Sequence, residues 1–298
     1  MNNIKFRGVM PAFVTPLNED GTVREAVVGQ MVEYLIGAGV TGFYICGATG
    51  EGTVMQPEAR MRMAELVVEA VKGRVSVIDH VGAVDLITAK KLAAHAASVG
   101  VDAISSVPPF FYGYGDDEIF NYYQALSDAA DVPLLMYACP LSGVPVTTAM
   151  VDRLMGIRNM IGLKWTNFNY YEMHKIAKLN GGDINVINGP DEAFICGLSM
   201  GAQAGIGSTY NVMPKVIVSI YDAFMKGDLA GARAAQYKAD CLIEVMLKYG
   251  CMPSLKWMLE QQGFDVGYCT YPLKRLSDAE KKALRADLDA LEYEKNYL

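Results

Sequence analysis

The chain has 298 residues, 52% of them hydrophobic and 20% charged, which is enough apolar material to bury a large core. Its 26 Lys and Arg against 33 Asp and Glu give a formal net charge of −7, and no block of like charge stands out. This pattern excludes a protein that recognises nucleic acid or an anionic membrane surface through its electrostatics.

Cysteine and histidine usage argues against metal and disulfide chemistry. The six cysteines form no Cys-x-x-Cys pair and only three histidines are present, so we expect neither a zinc site nor a disulfide framework. Residues 1–7 contain no apolar signal-peptide core, and no unbroken 18-residue uncharged apolar run follows. We therefore expect a soluble protein of a reducing compartment, the cytoplasm, with no membrane or nucleic-acid partner.

Short apolar runs rich in β-forming residues alternate with helical patterns along most of the chain. The predicted strands cover residues 8–15, 41–46, 75–81, 103–107, 133–137, 161–165, 185–188 and 203–206. The predicted helices lie near residues 22–38, 57–72, 85–98, 116–130, 147–155, 170–179, 191–199 and 213–226. Pro57 is placed to open the second helix and Asp85 to cap the third, while Gly39 and Gly73 stand where helices should stop.

Eight strand–helix pairs within residues 1–227 predict a (β/α)8 TIM barrel, because parallel neighbouring strands need crossover helices. A doubly wound open sheet is the alternative, but the Gly-x-Gly-x-x-Gly turn typical of it is not present. Residues 228–298 no longer alternate. Amphipathic patterns at 228–248, 253–262 and 277–296 predict a C-terminal three-helix appendage packed on the barrel.

Two residues at the predicted carboxyl ends of strands, where barrel active sites lie, could carry chemistry. Lys164 ends an apolar run in strand six, where desolvation would favour the free amine that Schiff-base formation needs. Tyr137 ends strand five, about 5 Å away across neighbouring strands, and could act as an acid–base group beside that amine. A lysine that extends its ammonium into solvent and a tyrosine that only packs in the core are the alternatives.

Loops after three other strands could bind substrate. Residues 47–52 (Gly-Ala-Thr-Gly-Glu-Gly) can direct backbone N–H groups and the Thr49 hydroxyl at a carboxylate, or can form only a tight turn. Asp191 and Glu192 follow strand seven and Ser208 follows strand eight. They would form an acceptor-rich surface suited to polyol hydroxyls, unless the two carboxylates only cap a helix.

Four motifs occur in order at these strand ends. They are residues 47–51 (Gly-Ala-Thr-Gly-Glu), 137–143 (Tyr-Ala-Cys-Pro-Leu-Ser-Gly), 162–166 (Gly-Leu-Lys-Trp-Thr) and 205–211 (Gly-Ile-Gly-Ser-Thr-Tyr-Asn). With them the chain resembles, over nearly its whole length, the pyruvate-dependent class I aldolases, the family of dihydrodipicolinate synthase and N-acetylneuraminate lyase. The resemblance implies a homotetrameric Schiff-base enzyme that needs neither a metal nor an organic cofactor.

The resemblance also implies a role for each site residue. Lys164 forms the Schiff base and Tyr137 handles the proton. Ala48 and Thr49 receive the carboxylate of pyruvate. The residues implied to hold the sugar portion of the substrate are Thr166, Gly189, Asp191, Glu192 and Ser208.

Within the family, two features favour the members that cleave N-acetylneuraminate, a sialic acid, into N-acetylmannosamine and pyruvate. Leu141 stands where dihydrodipicolinate synthases carry an arginine for the second carboxylate of their substrate. Residues 188–192 (Asn-Gly-Pro-Asp-Glu) match the pattern that holds the sialic-acid chain.

Two positions depart from the family pattern. Ala48 stands where relatives have Ser or Thr, and Phe111, beside Tyr112, stands where they tend to have Tyr. In relatives these positions form a hydroxyl relay to the active-site tyrosine. Two alternatives therefore stay open: a sister enzyme, such as a 2-keto-3-deoxy sugar acid aldolase or 4-hydroxy-tetrahydrodipicolinate synthase, and a non-catalytic barrel that binds keto acids or sugars.

Overall fold

The computed structural model describes residues 6–298, so residues 1–5 of the amino-terminal segment considered above lie outside the described residues. Eight strands form one parallel sheet. They are β1 Gly8–Pro11, β2 Gly42–Ile45, β3 Ser76–His80, β4 Ala103–Ser106, β5 Leu134–Ala138, β6 Met160–Trp165, β7 Asn185–Asn188 and β8 Ala204–Gly207. Their order in the sheet is β1-β8-β7-β6-β5-β4-β3-β2.

One α-helix follows each strand. These helices are α1 Glu25–Gly37, α2 Pro57–Val71, α3 Leu86–Val99, α4 Asp116–Ala129, α5 Thr148–Leu154, α6 Tyr170–Ile176, α7 Phe194–Ser199 and α8 Pro214–Met225. Each strand is thus joined through a helix to the next parallel strand, which is the connectivity of a (β/α)8 barrel. The predicted TIM-barrel fold is confirmed.

The barrel is nearly closed. Strand β1 pairs with β8 along its whole length. It meets β2 through one parallel bridge between Ala12 and Tyr44 and a 2.8 Å hydrogen bond from the Thr41 N–H to the Val9 carbonyl. All eight carboxyl strand ends therefore face the same mouth.

Two apolar layers hold the barrel together, because alternate side chains of each strand point to opposite faces. The barrel interior is filled by buried side chains, among them Met10, Ile78 and Leu135. The larger layer lies between the strands and the helices. The interior is thus a packed core that leaves space for a ligand only at its ends.

The residues predicted to start helices do so, whereas one strand is shorter than predicted. Pro57 is the first residue of α2, and the Asp85 carboxylate accepts a 2.8 Å hydrogen bond from the Thr88 N–H at the start of α3. Strand β1 ends at Pro11 rather than at residue 15. The chain beyond it hydrogen-bonds to loops: the Val14 N–H donates to Asn211 Oδ1 over 3.3 Å.

The C-terminal segment contains four helices where three were predicted. They are α9 Leu229–Tyr249, α10 Cys251–Gln261, α11 Asp278–Ala290 and α12 Tyr293–Tyr297. The expected helix at 277–296 is interrupted because Glu292 adopts a left-handed conformation with φ of 50°. Helix α9 packs along α8, and α10 and α11 pack against α9. The division of the chain into parts 1–227 and 228–298 remains a prediction.

Two findings concern the apolar segments of the chain. No helix within residues 6–298 is long and apolar enough to cross a membrane. Cys196 lies in an apolar run of the sequence, which favours a core position, but its side chain is exposed. Helix α7 buries Phe194, Gly197 and Leu198, at positions i, i+3 and i+4, and so turns Cys196 outward.

Candidate active site

Lys164 and Tyr137 lie side by side at the barrel mouth. They are paired residues on the neighbouring strands β5 and β6, and both side chains are 5% exposed. The Lys164 Nζ lies 4.4 Å from the centre of the Tyr137 ring and 4.7 Å from that of Tyr44. The two residues are therefore brought together as the strand positions predicted, and Tyr44 on β2 adds a second aromatic wall that the sequence analysis did not single out.

Burial changes the protonation of Lys164. Removal of the amine from water lowers its pKa from the ordinary value of 10.5 to about 8, although the negative charge of Asp191 acts in the opposite direction. In a sizeable fraction of the molecules the Lys164 amine is then uncharged at neutral to mildly alkaline pH. Such an amine is a nucleophile toward carbonyl carbon.

The phenol of Tyr137 stays protonated in the resting site. Burial raises its pKa, and the neighbouring Cys139 thiol adds to the rise. Its ring packs edge to face against Tyr44 and against the His80 imidazole, with centroids 5.9 Å apart in both cases. His80 itself is a structural residue, because its Nδ1 lies 3.1 Å from the Cys46 carbonyl and its Nε2 accepts a 3.2 Å hydrogen bond from a backbone N–H.

The loop after β2 meets the loop after β8 across the mouth. Thr49 Oγ1 and Ser208 Oγ are 2.6 Å apart and hydrogen-bonded. Ala48 is exposed. Within residues 6–298 neither Ala48 nor Thr49 donates its backbone N–H to another group. The loop therefore offers two N–H groups and a hydroxyl to an anion, the donor set expected of a carboxylate site.

The two carboxylates after β7 differ in their surroundings. Asp191 is buried, and its Oδ2 accepts hydrogen bonds from the N–H (2.8 Å) and the hydroxyl (2.7 Å) of Thr209. Burial raises the pKa of Asp191 to about 6. Glu192 is exposed. Asp191 thus fixes the turn after β8, as a capping residue would, while Glu192 is free to meet a ligand.

A cavity of about 510 Å³ lies at this mouth. Six of the nine predicted site residues line it: Tyr137, Thr166, Gly189, Asp191, Glu192 and Ser208. Lys164 lies behind Tyr137 at 4.4 Å from its ring, and Thr49 reaches the cavity through its bond to Ser208. Ala48 lies next to Thr49 on the exposed side of the same loop.

A side chain at position 189 would crowd the loop after β6. A Cβ there would lie 2.0 Å from Thr166 Oγ1, closer than real Cβ atoms approach other atoms. The backbone of the loop after β7 therefore passes directly over the residue that follows Lys164 and Trp165. This close approach brings the β6 and β7 loops together on one side of the cavity.

The C-terminal helices supply part of the cavity wall, which the sequence analysis missed. Ile243 and Leu247 of α9 and Cys251 of α10 line it, with Leu141 and Phe168 on the opposite loops. Ile243 and Leu247 are four residues apart and so share one face of a helix. The exposure of Leu247, at 60%, is the signal that this face is not fully covered by the core.

Phe111, the second residue that departs from the family pattern, lies apart from the cavity. Phe111 is 83% exposed, has φ of 84°, and packs edge to face against Tyr112, which is 68% exposed. Neither residue lines the cavity. Within one chain, these side chains therefore do not supply the hydroxyl relay that relatives place at this position.

Comparisons with known proteins agree with this geometry. A model of the dihydrodipicolinate synthetase family matches residues 5–291. The N-acetylneuraminate lyase of Rhizobium meliloti (strain 1021) is 33% identical over 282 residues, which cover 95% of this chain and 94% of that protein.

Solved structures are similar over almost the whole chain. Proteus mirabilis N-acetylneuraminate lyase superimposes with a TM-score of 0.92 and 30% identity, covering 99% of this chain and all of that one (100%). A catalytic lysine mutant of the Ruminococcus gnavus sialic acid aldolase gives a TM-score of 0.94 at 27% identity, with 98% of both chains covered. The chain belongs to the dihydrodipicolinate synthetase family.

Proposed function

We propose that the protein is an N-acetylneuraminate lyase, a class I aldolase that reversibly cleaves N-acetylneuraminate into N-acetylmannosamine and pyruvate. The observation that carries the proposal is the buried Lys164 amine, with its pKa lowered to about 8, beside the Tyr137 ring at the barrel mouth. The relatives at 33% and 30% identity are N-acetylneuraminate lyases, and a neighbour was studied as a catalytic lysine mutant.

Schiff-base formation is the first step. The free amine of Lys164 attacks the ketone carbon of the open-chain acid and gives a carbinolamine. The Tyr137 phenol, which its raised pKa keeps protonated, gives its proton to the departing hydroxyl. Water leaves, and an iminium and a tyrosinate remain.

Cleavage of the carbon–carbon bond follows. The Tyr137 oxygen takes the proton of the C4 hydroxyl, the C3–C4 bond breaks, and its electrons move into the iminium to form an enamine. C4 becomes the carbonyl of the aldehyde product. The Tyr137 phenol then gives this proton to C3 of the enamine, and the tyrosinate takes one from the water that adds to the iminium. Collapse of the resulting carbinolamine releases pyruvate and regenerates the Lys164 amine. The iminium is the electron sink, so this route needs neither a metal nor an organic cofactor.

The surrounding loops hold the two ends of the substrate. The N–H groups of Ala48 and Thr49 receive the pyruvate carboxylate. Thr166, Gly189, Asp191, Glu192 and Ser208 hold the sugar hydroxyls. Leu141 offers no positive charge at the cavity rim, where it is 87% exposed, and the two acidic residues repel a second carboxylate. This favours a neutral sugar aldehyde over aspartate semialdehyde.

We also propose that the chain assembles as a homotetramer in the cytoplasm. The exposed Phe111 and Tyr112 rings support burial against another subunit, because large apolar side chains that stand out together often mark an interface. The six cysteines are all free thiols, which suits a reducing compartment. A monomer mass by light scattering at micromolar concentration would contradict the tetramer.

Pyruvate release from N-acetylneuraminate, coupled to lactate dehydrogenase, tests the proposed activity. We expect steady turnover by the wild-type protein and none by a folded Lys164→Ala variant. Absence of turnover in the wild type would favour the non-catalytic binding barrel. Faster pyruvate consumption with a short hydroxy-aldehyde such as glyceraldehyde than with N-acetylmannosamine would instead favour a 2-keto-3-deoxy sugar acid aldolase.

A further inference from the structure

A fully buried ion pair joins the loop after β2 to the C-terminal helices. Glu51 Oε1 lies 2.5 Å from Lys256 Nζ, with side-chain exposures of 0% and 2%. Among the ion pairs within residues 6–298, this is the only one in which both side chains are buried. The two residues are far apart in sequence, so the pair forms only in the folded barrel.

Further hydrogen bonds extend this attachment. Lys256 Nζ donates to the Tyr268 carbonyl over 2.9 Å, and the Thr270 N–H donates to Glu51 Oε2 over 2.7 Å. Helix α10 and the segment after it therefore grip the Glu51 carboxylate at both oxygens. Through Glu51 they are attached to the 47–52 loop, in which the Ala48 and Thr49 N–H groups have no hydrogen-bond partner among the described residues.

The backbone of the 47–52 loop is strained and closely packed, so its conformation depends on contacts such as these. Glu51 itself has φ of 58°, in the left-handed region that costs a non-glycine residue about 1 kcal/mol or more. The next residue, Gly52, passes so close to Cys46 that a Cβ there would lie 1.8 Å from the Cys46 carbonyl oxygen. The Glu51 N–H donates to the Ala48 carbonyl over 3.1 Å. The Gly52 N–H donates to the Gly47 carbonyl over 3.0 Å, so Glu51 and Gly52 together hold the peptide groups on either side of Ala48.

A buried pair of this kind is weak evidence for a gain in stability. Removing two charges from water is costly, and apolar residues of similar volume are often as stabilising in the same place. In some proteins a buried charged pair instead fixes one conformation of the chain. Here the segment that the pair holds is the 47–52 loop, to which the proposed function assigns the carboxylate of pyruvate.

We propose that Lys256 is a positioning residue for substrate binding, which acts through Glu51 to hold the 47–52 loop in its carboxylate-binding conformation. The inference rests on the proposed function, because it assigns the loop to the carboxylate of pyruvate. On this proposal the C-terminal segment takes part in substrate binding and does not only pack against the barrel.

The test uses the double variant Glu51→Gln/Lys256→Met, which removes both charges and leaves no buried ion unpaired. In the synthetic direction we expect the KM for pyruvate to rise about tenfold or more, since small displacements of positioning groups are costly, with kcat at saturating pyruvate changed little. Lys248→Met, which breaks the exposed pair of α9 and α11, is the matched control and should leave both constants unchanged. A folded double variant with the wild-type KM for pyruvate overturns the proposal.

A second measurement separates this proposal from the proposed function. Amide deuterium exchange at residues 47–52 should be faster in the double variant than in the wild type and in Lys248→Met. Unchanged exchange there contradicts the positioning role whatever reaction the protein catalyses, whereas a wild-type protein without turnover contradicts the proposed function alone. If the double variant does not fold, Lys256→Met alone, which removes the Glu51–Lys256 ion pair, gives both readouts.

Discussion

Replacing Lys164 with methionine should stabilise the protein at neutral pH while abolishing turnover. The Lys164 residue is 5% exposed, and burial lowers the pKa of its amine from 10.5 to about 8. The folded state therefore holds the charged ammonium less well than the unfolded chain does. Methionine has a similar unbranched shape without the charge, so the change in packing contributes little.

The size of the effect follows from the pKa difference. A fall from 10.5 to about 8 corresponds to about 3 kcal/mol of unfolding free energy. This penalty is fully present below pH 8, where Lys164 is charged in both states. It disappears as the pH rises through 10.5, where the amine is neutral in both. The advantage of the variant should therefore shrink from about 3 kcal/mol near pH 7.5 to about 1 kcal/mol or less near pH 10.5.

Urea denaturation of both proteins between pH 7.5 and 10.5 measures this difference. Asp191, with its pKa of about 6, stays ionised over the range and adds no slope of its own. Lys90→Met, on the exposed face of α3, is the matched control and should change stability by about 0.5 kcal/mol or less at every pH. A Lys164→Met advantage that does not depend on pH, or a wild type that is the more stable at pH 7.5, would refute the reasoning.

Three further predictions concern catalysis. The kcat/KM for N-acetylneuraminate should rise with pH up to the pKa of Lys164, about 8. Asp191→Asn should move this inflection to lower pH, because the negative charge of Asp191 raises the pKa of Lys164. An unmoved inflection argues against this electrostatic effect of Asp191 on Lys164. Ala48→Ser, which restores a hydroxyl at an exposed position, should raise kcat/KM about tenfold, because one hydrogen bond to a charged group contributes about that much. The melting temperature should stay unchanged. An unchanged or lower kcat/KM would favour a sister aldolase over an N-acetylneuraminate lyase. Pyruvate should be consumed faster with N-acetylmannosamine than with aspartate semialdehyde, because Leu141 and the Asp191–Glu192 pair disfavour a second carboxylate, and the reverse order would overturn this specificity.

The fold was predictable because its signals are local and repeated. Strand and helix patterns alternate eight times, and signals such as Pro57 and Asp85 act within a single turn of chain. The errors occur where tertiary contacts decide. Strand β1 stops early because the chain beyond it hydrogen-bonds to loops. The last predicted helix is interrupted at Glu292, which adopts a left-handed conformation although neither Gly nor Pro occupies that position.

The site was predictable only in part for the same reason. Tyr137 and Lys164 could be placed together because they end neighbouring strands, and the structure pairs them. The cavity wall from Ile243 and Leu247 and the Glu51–Lys256 pair depend on how α9 and α10 pack over the mouth. Periodicity shows that a helix has an apolar face, but it does not show which part of the barrel that face covers.

Borohydride reduction in the presence of pyruvate tests the central claim, that Lys164 is the covalent residue, most directly. Reduction traps the iminium as a stable secondary amine, which mass spectrometry of the digested protein can locate. We expect one pyruvate-derived adduct per chain, on the peptide that contains Lys164, and none in a folded Lys164→Ala variant. An adduct on another lysine, or no adduct in the wild-type protein, would contradict the account.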